Sequence, residues 1–237
     1  YDGTSYSEVN DLNTARRSFG SAGTATSAIA AANHPPAGAL TELWNGTNWT
    51  EVNDMNTGRS QLAAAGADNT AVLAMGGSTA LANTENWNGT NWTEVNDLNT
   101  GRRGLGAVGT PSAALAFTGQ DPAPGYIADT ELWNGTNWTE VNNMNTAREQ
   151  ISEAGISTSA IGFGGDENPP PVNSAKTEEW NGTNWTETND LNTGRYYAGG
   201  NGTVSSALMS GGKNPGVTAV TEEWTGAGAP IGAWATS

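Results

Sequence analysis

Trp44-Asn45-Gly46-Thr47-Asn48-Trp49-Thr50-Glu51-Val52 returns almost unchanged from Trp87, Trp133 and Trp180, and a degraded copy starts at Tyr1. Each copy runs into Asn-Asp-Leu/Met-Asn-Thr-Gly/Ala-Arg or a close variant, which puts arginines at Arg16, Arg59, Arg102, Arg148 and Arg195. Their spacings of 43, 43, 46 and 47 residues describe one supersecondary unit used repeatedly, because a unit of this length buries its apolar face only against its neighbours.

Within one unit, Leu62-Ala63-Ala64-Ala65 and Ala71-Val72-Leu73-Ala74-Met75 are short apolar runs divided by a polar turn, and Gly76-Gly77 closes the second. Thr84-Glu85-Asn86-Trp87 then leads through Asn88-Gly89 into Thr90-Asn91-Trp92-Thr93-Glu94-Val95, a hairpin signal flanked by aromatic and β-branched residues. Four antiparallel strands per unit follow. A two-residue Asn-Gly turn is expected, since it sets Glu85 opposite Trp92, whereas a four-residue loop would set Glu85 opposite Glu94 and like charges facing each other repel. Counting from Tyr1 through Trp44, Trp87, Trp133, Trp180 and Trp224 gives five units.

A Gly-Gly doublet, an aromatic about ten residues on and a second Trp soon after, here Gly76-Gly77, Trp87 and Trp92, resemble a Kelch repeat. The doublet recurs at Gly164-Gly165 and Gly211-Gly212 but is Ala31-Ala32 and Thr118-Gly119 elsewhere. The near-identical Trp-Asn-Gly-Thr-Asn-Trp blocks further resemble Kelch-like repeat proteins among bacteriophage structural proteins. The resemblance implies an all-β, five-bladed propeller of four-stranded blades over residues 1–224, with 225–237 as a connector or tail. Ser5-Tyr6-Ser7-Glu8-Val9 is expected to pair with the last blade as its outer strand and so close the ring.

Composition narrows the function. Nine Lys and Arg against 24 Asp and Glu give a formal charge of −15, which opposes phosphate backbones, so no nucleic-acid partner is expected. No apolar run reaches the length of a membrane span, so no membrane insertion is expected. The opening at Tyr1, without initiator Met or signal pattern, suggests a soluble segment of a larger chain. Cysteine is absent, which removes disulfides and thiolate metal ligands. Among Kelch-type propellers, the copper oxidases need a Tyr–Cys crosslink and two His ligands, and this chain has no Cys and only His34. A Ser-His-Asp hydrolase is also unsupported, with that His beside Pro35-Pro36. No enzyme activity, cofactor or metal is expected.

The five arginines and Glu42, Glu85, Glu131, Glu178 and Glu222 recur once per unit. As a set they could line an anion site, but a buried Arg needs a carboxylate, and structural pairing is the stronger reading. Trp49, Trp92, Trp138 and Trp185 could stack sugars as a multivalent lectin, although their regular alternation suits packing between units. Asn96 to Gly101 has a weak likeness to an oxygen-rich calcium loop, and Asx-turns explain it better. The Asn-x-Thr sequons of the hairpins are byproducts of turn chemistry. The segments after the second strand diverge most, and recognition is expected on this rim, through His34, Gln120, Asp121, Tyr126, Asp166, Glu167 and Lys213. The implied role is a structural or partner-binding module on a virion or extracellular surface, meeting a protein or a cell-surface glycan.

Overall fold

A computed structural model describes residues 5–33, 38–123, 125–167, 172–226 and 233–236. These residues form strands and turns and no helix, hence no helix among them is long and apolar enough to cross a membrane. Five four-stranded antiparallel sheets follow one another along the chain. The first is Gly20–Thr24, Ser27–Asn33, Gly38–Trp44 and Trp49–Glu51. The second is Ala63–Asp68, Ala71–Met75, Thr84–Trp87 and Trp92–Val95, and the third Gly106–Thr110, Ala113–Phe117, Thr130–Trp133 and Trp138–Val141. The fourth is Ser152–Ile156, Ser159–Phe163, Thr177–Trp180 and Trp185–Glu187, and the fifth Gly199–Thr203, Ser206–Ser210, Thr221–Thr225 and Ala233–Thr236.

The first strands pack side by side in chain order. They are built from Gly, Ala, Ser and Thr with few larger residues, and only small side chains let strands of separate sheets approach this closely. Four apolar clusters join the successive sheets, such as Leu73, Met75, Leu105 and Ala116 with Trp133 and Trp138 between the second and third. The first Trp of each hairpin turns its indole N–H back to its own sheet: Trp87 Nε1 donates to Asn69 O at 2.9 Å and Trp133 Nε1 to Pro111 O at 2.8 Å. The second Trp ties its sheet to the preceding one. Trp92, Trp138 and Trp185 donate to Thr41, Thr84 and Thr130 Oγ1 at 3.0, 3.2 and 3.1 Å. Each buried indole thus keeps a partner for its one polar atom.

Two expectations are corrected. The hairpin loop has four residues, and Trp87 faces Trp92 while Glu85 faces Glu94. Asn88 Oδ1 accepts from the backbone N–H of Thr90 and Asn91 at 3.0 and 2.9 Å, closing an Asx-turn that a two-residue loop cannot make. The like charges are tolerated because Glu85 is buried on Arg59 while Glu94 lies in solvent. The second correction concerns the fifth sheet. Its outer strand is Ala233–Thr236, with Trp224 opposite Trp234, and residues 5–10 form no strand. The segment expected as a tail therefore supplies the Trp-to-Trp pairing, and the N-terminal clasp is not formed.

The recurring linker is a cage for one carboxylate. Asn56 donates its backbone N–H and side-chain amide to Glu85 Oε2 at 2.7 and 2.9 Å, and the Thr57 N–H reaches Oε1 at 3.2 Å. Arg59 completes the cage through a buried ion pair. Arg16–Glu42, Arg102–Glu131, Arg148–Glu178 (3.0 Å) and Arg195–Glu222 repeat it, each pair with fully buried side chains. Burial pushes the Arg102 and Arg148 guanidinium pKa values down, opposed by Glu131 and Glu178 respectively. All five arginines are therefore spent on carboxylates within the fold.

Candidate functional site

The residue two after each caged arginine holds the same left-handed backbone, with φ of 54, 56, 61, 54 and 56° at Ser18, Gln61, Gly104, Gln150 and Tyr197. Only Gly takes this conformation without cost. A belt of backbone hydrogen bonds joins the first four of these positions from sheet to sheet: Gln61 N–H to Ser18 O at 2.7 Å, Gly104 N–H to Gln61 O at 2.9 Å, and Gln150 N–H to Gly104 O at 2.7 Å. The belt borders a cavity of about 740 Å³, to which all five first strands or their entries contribute. Arg17, Gln61, Gln150, Glu153 and Tyr197 supply most of its polar and aromatic lining, and small residues such as Ser21, Ala64 and Gly200 line its deeper wall.

Above the belt, one position from each linker lies beside one from the loop after the Gly-Gly doublet. The doublet makes this approach possible. Gly76 (φ 70°) and Gly77 (φ 139°) are both left-handed, and a β-carbon on Gly76 would sit 2.6 Å from Arg102 O. The Gly77 N–H in turn donates to Arg102 O at 2.9 Å. The side-by-side pairs that result are Ser60 with Ser78, Arg103 with Gln120, Glu149 with Asp166, and Tyr196 with Lys213. The scaffold hardly varies from sheet to sheet, yet here no two pairs share a chemistry.

Arg103 donates Nε to Gln120 Oε1 at 2.8 Å, and its Nη2 bonds the same oxygen. Glu149 and Asp166 stand directly opposite each other, and the Tyr126 hydroxyl donates to Asp166 Oδ2 at 3.4 Å. Burial raises the Glu149 pKa, Arg103 pulls it back and Asp166 adds to the rise; burial likewise raises Asp166. Tyr126 is pushed up to about 12 by burial and by these two carboxylates. Lys213 Nζ sits 5.9 Å from the centre of the Tyr196 ring, within cation–π range. Tyr196 and Tyr197 rings lie 5.0 Å apart, and Tyr197 is 53% exposed. Asp166 Oδ1, Glu149 Oε2, Gln150 Nε2 and Asp121 Oδ1 are buried with no hydrogen-bond partner, an arrangement that needs a reason in a folded protein.

Of the expected rim residues, Gln120, Tyr126 and Asp166 meet, Asp121 follows Gln120 with a buried Oδ1, and Lys213 lies on Tyr196. Glu167 turns aside to Ser174 (2.7 Å) and Lys176 (3.3 Å), and His34 lies outside the described residues. Arg17, Arg103, Glu149, Gln150, Tyr196 and Tyr197 belong to the site although the rim loops do not contain them. Their signal is in the repeat: the two letters after each caged arginine read Arg-Ser, Ser-Gln, Arg-Gly, Glu-Gln and Tyr-Tyr. Trp92, Trp138 and Trp185 are only 5–6% exposed, so their rings are packing surfaces, whereas Trp49 is half-buried against Trp44 of its own sheet. No group of three or more His, Cys, Asp or Glu suited to a metal ion occurs among the described residues. No family model and no curated protein matches the chain.

Proposed function

We propose that the chain is a closed five-bladed propeller of Kelch-like design, serving as a non-enzymatic partner-binding module of a larger assembly such as a phage virion appendage, on a virion or extracellular surface. Support for the ring comes from the chain-order packing of the first strands, the belt of backbone hydrogen bonds across the first four sheets, and a cavity to which every sheet contributes. In a closed ring, spin labels at Ala235 and Thr50, which occupy matching places in the fifth and first sheets, stand as far apart as labels at Thr50 and Thr93. An open arc would give a much longer first distance.

Recognition is carried by one observation: repeated positions are nearly invariant where they build sheets and unlike one another around the cavity mouth. A repeat under packing constraint alone has no reason to place Arg, Glu, Tyr and Lys at equivalent mouth positions, whereas a surface matched to one asymmetric partner does. Hydrogen exchange, compared between the isolated chain and the chain within its parent assembly, tests this. Protection is expected at residues 103–104, 120–126, 149–150 and 196–197; protection confined to the outer strands would defeat it. The lectin reading based on Trp49, Trp92, Trp138 and Trp185 loses three of its four platforms, because the Trp92, Trp138 and Trp185 rings are buried against the preceding sheets.

A further inference from the structure

We infer that the cavity below the mouth is a binding site for the end of an uncharged saccharide, held between the Gly104 notch and Tyr197. This deepens the reading of that end as the recognition face and rests on it, but is independent of any protein partner.

Gly104 is the one belt position without a side chain. A β-carbon there would meet Gln150 Nε2 at 2.7 Å and Glu149 Oε2 at 3.1 Å, and neither atom has a hydrogen-bond partner. An unpartnered amide donor and an unpartnered carboxylate oxygen thus both border the bare backbone of Gly104. A sugar hydroxyl both donates and accepts, so two adjacent hydroxyls satisfy such a pair together. Gln61, at the matching position one sheet earlier, adds a second amide of the same two-sided capacity. Tyr197 lies on the cavity wall with half its surface exposed, and an aromatic face opposite polar groups is what the C–H side of a pyranose stacks on.

Charge and size narrow the class further. An anion is opposed by the formal charge of −15 and by Glu149 and Asp166 at the mouth. A cation meets Arg17 at the wall and Arg103 at the mouth. Hydroxyls suit both signs. Burial pushes Glu153 up to about 8, which keeps its carboxyl protonated and able to donate at neutral pH. The volume of about 740 Å³ falls in the range of roughly 300–1,000 Å³ usual for small-ligand sites.

Saturation-transfer NMR and calorimetry against a panel of methyl glycosides, with N-acetyl-lysine methylamide and sialic acid as charged probes, test the assignment. At least one neutral glycoside is expected to bind, with affinity falling about tenfold or more in Gln150→Leu through loss of a buried hydrogen bond, and likewise in Tyr197→Ala. Thr50→Ala, on the outer strand of the first sheet, should leave it unchanged, and thermal unfolding checks that each variant folds. No binding by any neutral glycoside, tighter binding of a charged probe, or glycoside binding indifferent to Gln150→Leu and Tyr197→Ala would each overturn the inference. Exchange protection at the mouth in the assembly would survive all three results, so failure here is separable from failure of the partner-binding reading.

Discussion

Replacing Glu153 with Gln should stabilise the protein in alkaline buffer and change little in acid. Glu153 stands where the other first strands carry Ser21, Ala64, Ala107 and Gly200, and it faces the cavity. Its folded pKa is about 8 against an ordinary 4.5, because burial disfavours the charged form and the Ala107 N–H opposes this only in part. Between those values the folded carboxyl keeps a proton that the unfolded one has lost, so stability falls as pH rises through the window and levels off above it. The full shift corresponds to about 5 kcal/mol at 1.36 kcal/mol per unit. Water in a cavity of this size solvates the carboxylate in part, and about 2 kcal/mol is the expected penalty above pH 8. Gln keeps the acceptor for Ala107 and carries no charge. Urea unfolding of both proteins at pH 4.5, 7 and 9 should give curves that nearly coincide at the lowest pH and separate by about 2 kcal/mol at the highest. A constant difference across the three would refute the burial argument.

Arg102→Ala strands the Glu131 carboxylate in a fully buried site and should cost about 3–5 kcal/mol, whereas Arg102→Met with Glu131→Leu should recover most of the loss, as buried ion pairs exchanged for apolar groups generally do; equilibrium denaturation of the three variants decides it. Thr118 holds a left-handed φ of 58° where Gly76, Gly164 and Gly211 stand in other sheets, and its Oγ1 is buried without a partner. Thr118→Gly should therefore raise stability by about 1 kcal/mol, despite the greater freedom of Gly in the unfolded chain, visible as a higher melting temperature.

The sheet pattern was legible because each repeated letter has one job that repeats. Asn56, Thr57 and Arg59 recur since all three feed Glu85, and a unit lacking one of them would leave a buried charge underpaired. The hairpin register was misread for the same reason seen from the other side. Glu85 facing Glu94 is unfavourable only where both carboxylates are free, and local sequence does not reveal that Glu85 is neutralised by an arginine 26 residues upstream. Closure of the fifth sheet was misread because two segments competed. Tyr6 to Val9 copies the outer strand closely in letters, while Ala233–Thr236 keeps little beyond Trp234, yet the latter follows Trp224 directly in the chain. A local hairpin closes a far shorter loop than a pairing of opposite termini.

The site was half legible, and the division follows from how the repeat exposes variation. Rim loops announce themselves by changing length, so Gln120, Asp166 and Lys213 stood out. Glu149, Gln150, Tyr196 and Tyr197 vary at fixed length inside a motif that otherwise repeats, directly after an arginine that never changes. Their exposure depends on the left-handed turn at Gln150 and Tyr197, which no residue preference announces, because Gln and Tyr disfavour it. The belt hydrogen bonds tie that turn together from Ser18 through Gln61 and Gly104 to Gln150 regardless of side chain, and Tyr197 holds the same backbone in the fifth sheet. Residue identity at these positions is thereby freed from the needs of the fold, and a symmetric scaffold can carry an asymmetric mouth.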